Sequence, residues 1–262
     1  MTPTVLQSFS LEGKTAIVTG AAGLFGRQIA DALAEAGATT VVASRNLAAL
    51  DDYAQSMRDR GLKVLTRKYD QGDERSIAAL LESVVDQTGR VEVLVNNAVV
   101  RPMKDWDYEG ASLDFAESMR VNATGLYNMH RIFGTHMAAN GGGSIVNIGS
   151  IQGMVGPDFS LYEGLDWGCP PEYFFHKGGL LQLTRFVAAK LGGQGVRVNA
   201  LSPGGFFNNQ DSRFVKRYCA RTFVGRLANE SDLKGAVVFL ASDASAYITG
   251  TNLPVDGGYT AK

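Results

Sequence analysis

Residues 14–45 read KTAIVTGAAGLFGRQIADALAEAGATTVVASR, and this stretch decides the fold. A short apolar run (Ala16, Ile17, Val18) leads into a glycine-rich turn. A helical segment follows with Ile29 and Leu33 on one face, then a stop at Gly37 and a second apolar run (Val41, Val42, Ala43). That order is strand, turn, helix, strand. Two parallel strands joined by a helix cross over right-handed, and the helix N-terminus then points its free N–H groups at whatever lies above the first strand. The glycines indicate what lies there. Gly20 permits the tight turn, Gly23 keeps side chains away from an approaching phosphate, and Gly26 lets helix and strand backbones pack closely. The ligand they point to is a dinucleotide pyrophosphate.

Outward from this unit, strand-like and helix-like segments alternate almost to the C-terminus without a Pro- or Ser-rich linker, so residues 1–262 read as one α/β domain. The pattern predicts helices near 47–60 and 74–88, strands near 64–69 and 91–95, and a long amphipathic helix over 113–139. SIVNIGS (144–150) predicts a strand with polar residues at its carboxyl end. A Gly-, Pro- and aromatic-rich stretch then leads to a helix starting near Tyr173, with Pro170 and Pro171 at its entry. VRVNALSPGG and NLPVDGG supply two further strands. Open parallel sheets place ligands beyond the carboxyl ends of their strands, which makes the residues at those ends the ones to read.

Bulk properties exclude several classes. With 262 residues, 45% hydrophobic and 19% charged, the chain can bury a large core. A net charge of −1 and the lack of any long basic run argue against nucleic-acid binding. Cys169 and Cys219 lie without metal-ligand spacing and read as incidental thiols of a reduced protein, while His130, His136 and His176 read as structural, so no metal is expected. No segment resembles a leader or a membrane span, and a soluble cytoplasmic protein acting on a small molecule is the expectation.

TGAAGLFG, NNA, the Asn of VNATG, the Ser of NIGS, a Tyr-x-x-x-Lys and SPGG occur in this order across essentially the whole chain. In order and spacing they resemble the short-chain dehydrogenase/reductase family. Two departures stand out: the middle glycine of the turn is Gly23, with Leu24 in its usual place, and NNAV replaces NNAG, putting Val99 in the local turn. The resemblance implies a doubly wound, Rossmann-type, mostly parallel sheet of about seven strands. It also implies an oxidoreductase that interconverts a carbonyl and a secondary alcohol, and a homotetramer packed through the 113–139 helix, the helix at Tyr173 and the C-terminal VDGG region. The sequence itself offers only apolar helix faces such as Phe186 and Val187 for that contact.

The residues suit this chemistry. Hydride transfer at a carbon-bound oxygen also moves a proton, so an acid/base must face that oxygen. At i and i+4, Tyr173 and Lys177 share a helix face, where an ammonium lowers a phenol's pKa. Ser150 can hydrogen-bond the substrate oxygen. The resemblance assigns Asn122 to a water that connects Lys177 to solvent. It likewise assigns Gly20, Gly23, Leu24, Phe25, Gly26, Asn96, Pro203 and Gly204, with Tyr173 and Lys177, to cofactor contact. Asn96 and Asn97 can fix cofactor and loop backbone or simply cap a turn. Asp70 can accept from the adenine amino group or cap the next helix. Where NAD-preferring relatives carry Asp at the end of the second strand, this chain has Ser44 and Arg45, which suit a 2′-phosphate; NADP(H) is therefore expected over NAD(H). A solvated surface role remains open for Arg45.

Between Ser150 and Tyr173 lie 22 residues, about ten more than the family usually has, giving an active-site insertion at about 154–172. It contains Asp158, Tyr162, Glu163, Asp166 and Trp167. Tyr162 and Glu163 are expected in the substrate pocket, where carboxylates and aromatic faces together suit a polyhydroxylated ligand. YEG, PPEY, KGG and PGGFFNNQ resemble a subgroup associated with surface-glycan and flagellin-sugar biosynthesis. Spacing alone would select Tyr162 as the acid/base. Asp166, four residues on, would raise its pKa, and this favours Tyr173. Rival readings are a 3-oxoacyl-carrier or small-ketone reductase and a non-catalytic nucleotide-binding regulator. The carrier reading would need a basic docking patch near the mouth of the site, and the regulator has no use for a tuned phenol.

Overall fold

In the computed structural model, which describes residues 3–103 and 112–261, the 14–45 unit lies in the middle of the sheet. A single turn, α1 (Val5–Ser8), is closed by a reciprocal Thr4–Gln7 capping box. Strand β1 (Thr15–Thr19), helix α2 (Leu24–Glu35) and strand β2 (Thr39–Ser44) then form the expected crossover unit. Gly37, at φ +104°, ends α2 in a conformation that L side chains avoid. The chain continues through α3 (Ala48–Asp59), β3 (Val64–Lys68), α4 (Glu74–Thr88) and β4 (Val93–Asn96). Asp73 starts α4 by accepting from the Arg75 N–H at 2.9 Å.

Helices α5 (Ser112–Met119) and α6 (Leu126–Ala139), β5 (Gly143–Ile148), α7 (Pro171–Leu191), β6 (Val196–Pro203), α8 (Ser212–Cys219), α9 (Lys234–Ala241) and β7 (Asn252–Val255) follow. The seven strands form one sheet in the order β3-β2-β1-β4-β5-β6-β7, every neighbouring pair parallel. The order of addition reverses between β1 and β4, so the carboxyl ends of these two strands open a crevice.

Both faces of the sheet are covered, as a parallel sheet requires. Ala16 and Val18 point to one face, where they pack with α2, α3 and α9 through Ile29, Leu33, Leu50, Met57 and Leu240. Ile17 points to the other and packs with α4, α6 and α7 through Leu80, Phe133, Met137 and Val187. Phe133 is fully buried, and truncating such a residue costs about 3–5 kcal/mol. Among the described residues no helix is long and apolar enough to cross a membrane.

Four expectations need revision. The helix over 113–139 is not continuous: α5 and α6 are joined by a π-helical turn, Arg120–Gly125. Gly125 there lies against the Gln71 carbonyl, where a Cβ would collide, and Asn122 is drawn inward. Of the two apolar residues named on α7, only Phe186 faces outward; Val187 is core. The fourth strand is Val93–Asn96 rather than 91–95. The reading of the sequence assigned no helix between 204 and 251, where α8 and α9 form. Helix α8 is amphipathic, with Phe214 and Tyr218 buried at i and i+4, and Asp211 caps it by accepting from the Arg213 N–H.

Candidate active site

The crevice is a trough with two recesses that share Val99. One is bordered by Gly20, Ser44, Arg45, Asp70 and Val100, the other by Phe25, Asn97, Ser150, Tyr173, Lys177, Pro203 and Gly204. Three observations fit a dinucleotide. Gly20 adopts φ +64°, and a Cβ there would lie 2.8 Å from the Ala98 Cα. Gly26 seats α2 on the turn so closely that a Cβ would lie 2.7 Å from the Ala21 Cα. Gly23 is different: it caps α2 without a side-chain hydrogen bond, and a Cβ there would meet only the Gly20 carbonyl, at 3.4 Å. The protein itself does not require glycine at 23, whereas a phosphate resting on the free N–H groups of α2 would. Leu24 is half exposed in the first turn, and Phe25 packs edge-on against Phe206 at 5.5 Å. Val99 takes an ordinary negative φ, so its replacement of glycine introduces no strain.

Tyr173, Lys177 and Ser150 meet in the second recess. Proline at the start of α7 sets its first turn, which places Tyr173 one turn before Lys177. The Lys177 Nζ lies 5.5 Å from the Tyr173 ring centroid and donates to the Ile148 carbonyl at 2.6 Å, which ties α7 to the end of β5. Burial alone would push the Tyr173 phenol up. Lys177, Arg101 and a hydrogen bond with Ser150 outweigh it and hold the phenol below its ordinary value. Burial lowers Lys177 as well, against the attraction of Tyr173. Ser150 also accepts from the Gln152 N–H at 3.1 Å, which fixes its side chain at the strand end.

The insertion folds over this recess, and only part of it lines the site. Tyr162 borders the cleft and packs against Trp167 (5.3 Å) and Phe214 (5.5 Å). Its phenol is pushed far up, by burial first and then by Cys169. Asp166, expected to be the cause, is exposed and plays no part in the shift. Glu163 is exposed and does not border the recess; its carbonyl accepts from Arg217 at 2.6 Å, turning the residue onto the outer surface. Asp158 pairs with Arg221 at 2.7 Å. The expected carboxylate lining is therefore absent from the cleft among the described residues, and the aromatic lining remains. Arg213, Arg217 and Arg221, spaced along one side of α8 and its end, hold Asp211, the carbonyls of residues 161, 163 and 164, and Asp158. Arg213 and Arg221 are ion-paired with Asp211 and Asp158, and Arg217 holds two backbone carbonyls.

The remaining residues divide cleanly. The Asn96 side chain is buried behind the cleft and donates to Asn147 at 2.9 Å, in a network continued by His130 and Thr184, so only its backbone is left to meet a cofactor. Asn97 borders the cleft instead, and its amide donates to the Thr19 and Gly20 carbonyls, pinning the glycine turn. Asn122 is buried with its side chain fully engaged: it accepts from the Val100 N–H (2.9 Å) and donates to the Val100 carbonyl (2.8 Å) and Ser118 (2.9 Å). Asp70 accepts from the Gly72 N–H at 2.9 Å in a tight turn, and the cap of the next helix is Asp73 instead. Gly204 donates to the Val255 carbonyl at 3.0 Å beside Pro203.

Two features escaped the reading of the sequence. Arg101, directly after NNAVV, sets its guanidinium 3.9 Å from the centroid of the Tyr173 ring; the available signal was a charge at the carboxyl end of a buried strand. Glu172 and His176, directly before Tyr173 and Lys177 respectively, are buried and face each other at 3.6 Å, with Glu172 accepting from Ser118. Glu172 and His176 are one turn apart on α7, and the packing of α5 on α7 adds Ser118 to them.

A family model described as enoyl-(acyl carrier protein) reductase matches residues 20–260. Galactitol 2-dehydrogenase (L-tagatose-forming) of Cereibacter sphaeroides is 35% identical over 260 residues, covering 96% of this chain and 97% of that one. Gluconate 5-dehydrogenase of Gluconobacter oxydans is 32% identical over 262 residues, covering 96% of each. The crystal structure of a gluconate 5-dehydrogenase from Burkholderia cenocepacia in complex with NADP and tartrate superimposes with a TM-score of 0.87 at 31% identity, covering 99% of this chain and 100% of that one.

Proposed function

The chain belongs to the short-chain dehydrogenase/reductase family and is an NAD(P)-dependent dehydrogenase acting on CH–OH groups; from that premise we propose that it interconverts a secondary alcohol and a carbonyl on a polyhydroxylated, sugar-like substrate, preferring NADP(H). The observation that carries this reading is the opposite treatment of two tyrosines in one cleft. Tyr173, beside Lys177 and Arg101, is brought down, and Tyr162, packed among aromatic rings, is pushed up.

In this reading Tyr173 takes and returns the proton at its phenol oxygen, and Lys177 stabilises the phenolate and contacts the cofactor. Ser150 holds the substrate oxygen against Tyr173. Asn122 supports the proton path to Lys177 by fixing the loop at Val100, both N–H donors of its side chain being taken within the chain. Hydride transfer is the chemistry that the nicotinamide supplies when bound. Gly20, Gly23, Leu24, Phe25 and Gly26 cradle the pyrophosphate, Asp70 takes the adenine, Pro203 and Gly204 flank the nicotinamide end, and Ser44 and Arg45 bind a 2′-phosphate.

The aromatic walls at Tyr162, Phe214 and Tyr218 suit the C–H faces of a polyol or sugar. The named substrates of the galactitol and gluconate dehydrogenases lead the same way, as does the resemblance to surface-glycan and flagellin-sugar enzymes. Leu113, Tyr127, Phe175 and Phe186, exposed on α5, α6 and α7, are the surface through which we propose a homotetramer forms. The test is turnover of purified protein with NADP and NAD against alditols, aldonates and aldoses, and with NADPH against simple hydrophobic ketones. Turnover of the ketones with no sugar or polyol oxidised overturns the substrate class.

A further inference from the structure

Among the described residues, the lining of the catalytic recess carries two cations, Lys177 and Arg101, and no Asp or Glu. Lys177 is accounted for by the Ile148 carbonyl and Tyr173. Arg101 touches Tyr173 too, over its ring face and by a hydrogen bond to its side chain, but among the described residues no carboxylate lies within ion-pair distance of its guanidinium. Arg101 is an exposed residue of the recess. A substrate filling the recess strips water from Arg101, and a guanidinium desolvated without a partner is costly. A planar fork of donors beside the reacting phenol matches a carboxylate in bidentate geometry.

We propose that Arg101 binds a carboxylate of the substrate, and that the preferred substrate is therefore a hydroxy acid, an aldonate-like polyol whose carboxylate lies within about two to four carbons of the oxidised carbon. This rests on the reading of the site as a polyol dehydrogenase and narrows it. The alcohol oxygen sits between Tyr173 and Ser150, and the carboxylate reaches sideways to Arg101 over the Tyr173 ring face. The aromatic wall of Tyr162 and Phe214 takes the C–H side of the chain. The same contact fixes which hydroxyl faces Tyr173, because the distance from carboxylate to oxidised carbon is set by the distance from Arg101 to the phenol.

The experiment compares matched pairs: sodium gluconate with D-glucitol, sodium threonate with threitol, and 3-hydroxybutyrate with 2-butanol, in the wild type, R101A and R101K. The expected wild-type result is a kcat/KM at least tenfold higher for the acid in the polyhydroxylated pairs. In R101A the ratio of acid to neutral falls by about tenfold to a hundredfold, carried by KM, and R101K restores part of it through charge without the fork. Tartrate, tested as a competitive inhibitor, loses affinity in R101A by a similar factor. If the wild type oxidises neutral polyols as well as or better than the acids, the carboxylate role is overturned and the polyol reading stands. If neither member of any pair is turned over, that reading itself fails. If R101A lowers acid and neutral substrates equally and shifts the alkaline rise of the pH profile upward, Arg101 only tunes Tyr173, and the inference is wrong.

Discussion

The Arg221 guanidinium donates to the Asp158 carboxylate at 2.7 Å, across 63 positions of sequence. With Arg217 and Arg213 holding the carbonyls of residues 161, 163 and 164, it ties the insertion to α8, and behind this row lies a small apolar core of Leu161, Tyr162, Trp167, Phe214 and Tyr218. The pair is partly exposed, so it contributes little to global stability, about 0–1 kcal/mol. Its expected effect is local. Arg221→Ala raises KM for substrate several-fold and leaves Tm within about 2 °C, whereas Arg217→Ala, which frees two carbonyls, has the larger effect on KM. Steady-state kinetics and thermal melts check this, and unchanged KM values in the double variant would refute it.

Tyr173→Phe is expected to lower kcat by at least about a thousandfold while NADPH binding persists, and Tyr162→Phe chiefly to raise KM. Because Lys177 and Arg101 hold the Tyr173 phenol down, alcohol oxidation should rise with pH to a plateau through a midpoint below 10, with Lys177→Met moving that midpoint up. A dead Tyr162→Phe beside an active Tyr173→Phe would reverse the assignment.

The glycine turn separates a ligand requirement from a packing requirement. Gly26→Ala sets a methyl against the backbone of residues 20 and 21 and should cost about 1–3 kcal/mol of stability. Gly23→Ala should leave Tm nearly unchanged and weaken cofactor binding by tenfold or more. Fluorescence titration with NADPH alongside melting curves distinguishes them, and full NADPH affinity in Gly23→Ala would remove the phosphate reading of that position.

Arg45 borders the same recess as Gly20 and Asp70. Arg45→Ala is expected to raise KM for NADPH about tenfold to a hundredfold and to leave NADH almost untouched, since only the 2′-phosphate loses its fork partner. Equal catalytic efficiencies with both cofactors in the wild type would contradict the expectation.

Two histidines predict an acid-sensitive fold. Burial drives His130 down to about 4, against its hydrogen bonds to the Leu126 carbonyl and Asn147, and drives His176 to about 3, helped by the Lys177 charge. Both rings are neutral in folded and unfolded chains above pH ~6.5, so neither matters there. Below it the unfolded chain takes up protons that the folded chain refuses. Stability therefore falls as pH drops from about 6.5 toward 4, by roughly 2 kcal/mol per ring at pH 5. Tm should decline by several degrees between pH 7 and 5, and less in His130→Gln. A pH dependence identical in wild type and His130→Gln would count against it.

The crossover unit and the catalytic helix were legible because their signals are local. Gly20, Gly37 and Pro171 each impose a backbone state that few other residues supply, and Tyr173 and Lys177 lie one helical turn apart, so proximity along the chain guarantees proximity in space. The break at Arg120–Gly125 was not legible, because the residue packed against it, Gln71, whose amide donates to the Val121 carbonyl and whose own carbonyl lies against Gly125, is fifty positions away from Val121. Asn96 and Asn97 are adjacent and identical in type; strand alternation sends one side chain behind the cleft and the other to its border, and a one-residue shift in the strand's end decides which.

By itself, then, the sequence determined the alternation of strands and helices, the glycine turn and the pairing of Tyr173 with Lys177, since each is written in residues close along the chain. Tertiary structure alone decided that the insertion turns Glu163 and Asp158 outward onto the arginines of α8, that Tyr162 is buried beyond easy ionisation, and that Arg101 comes over the Tyr173 ring. Those outcomes depend on which distant charges and rings reach one another once the sheet has closed, and on how much water the packing removes. Neither quantity is carried by any local pattern of residues.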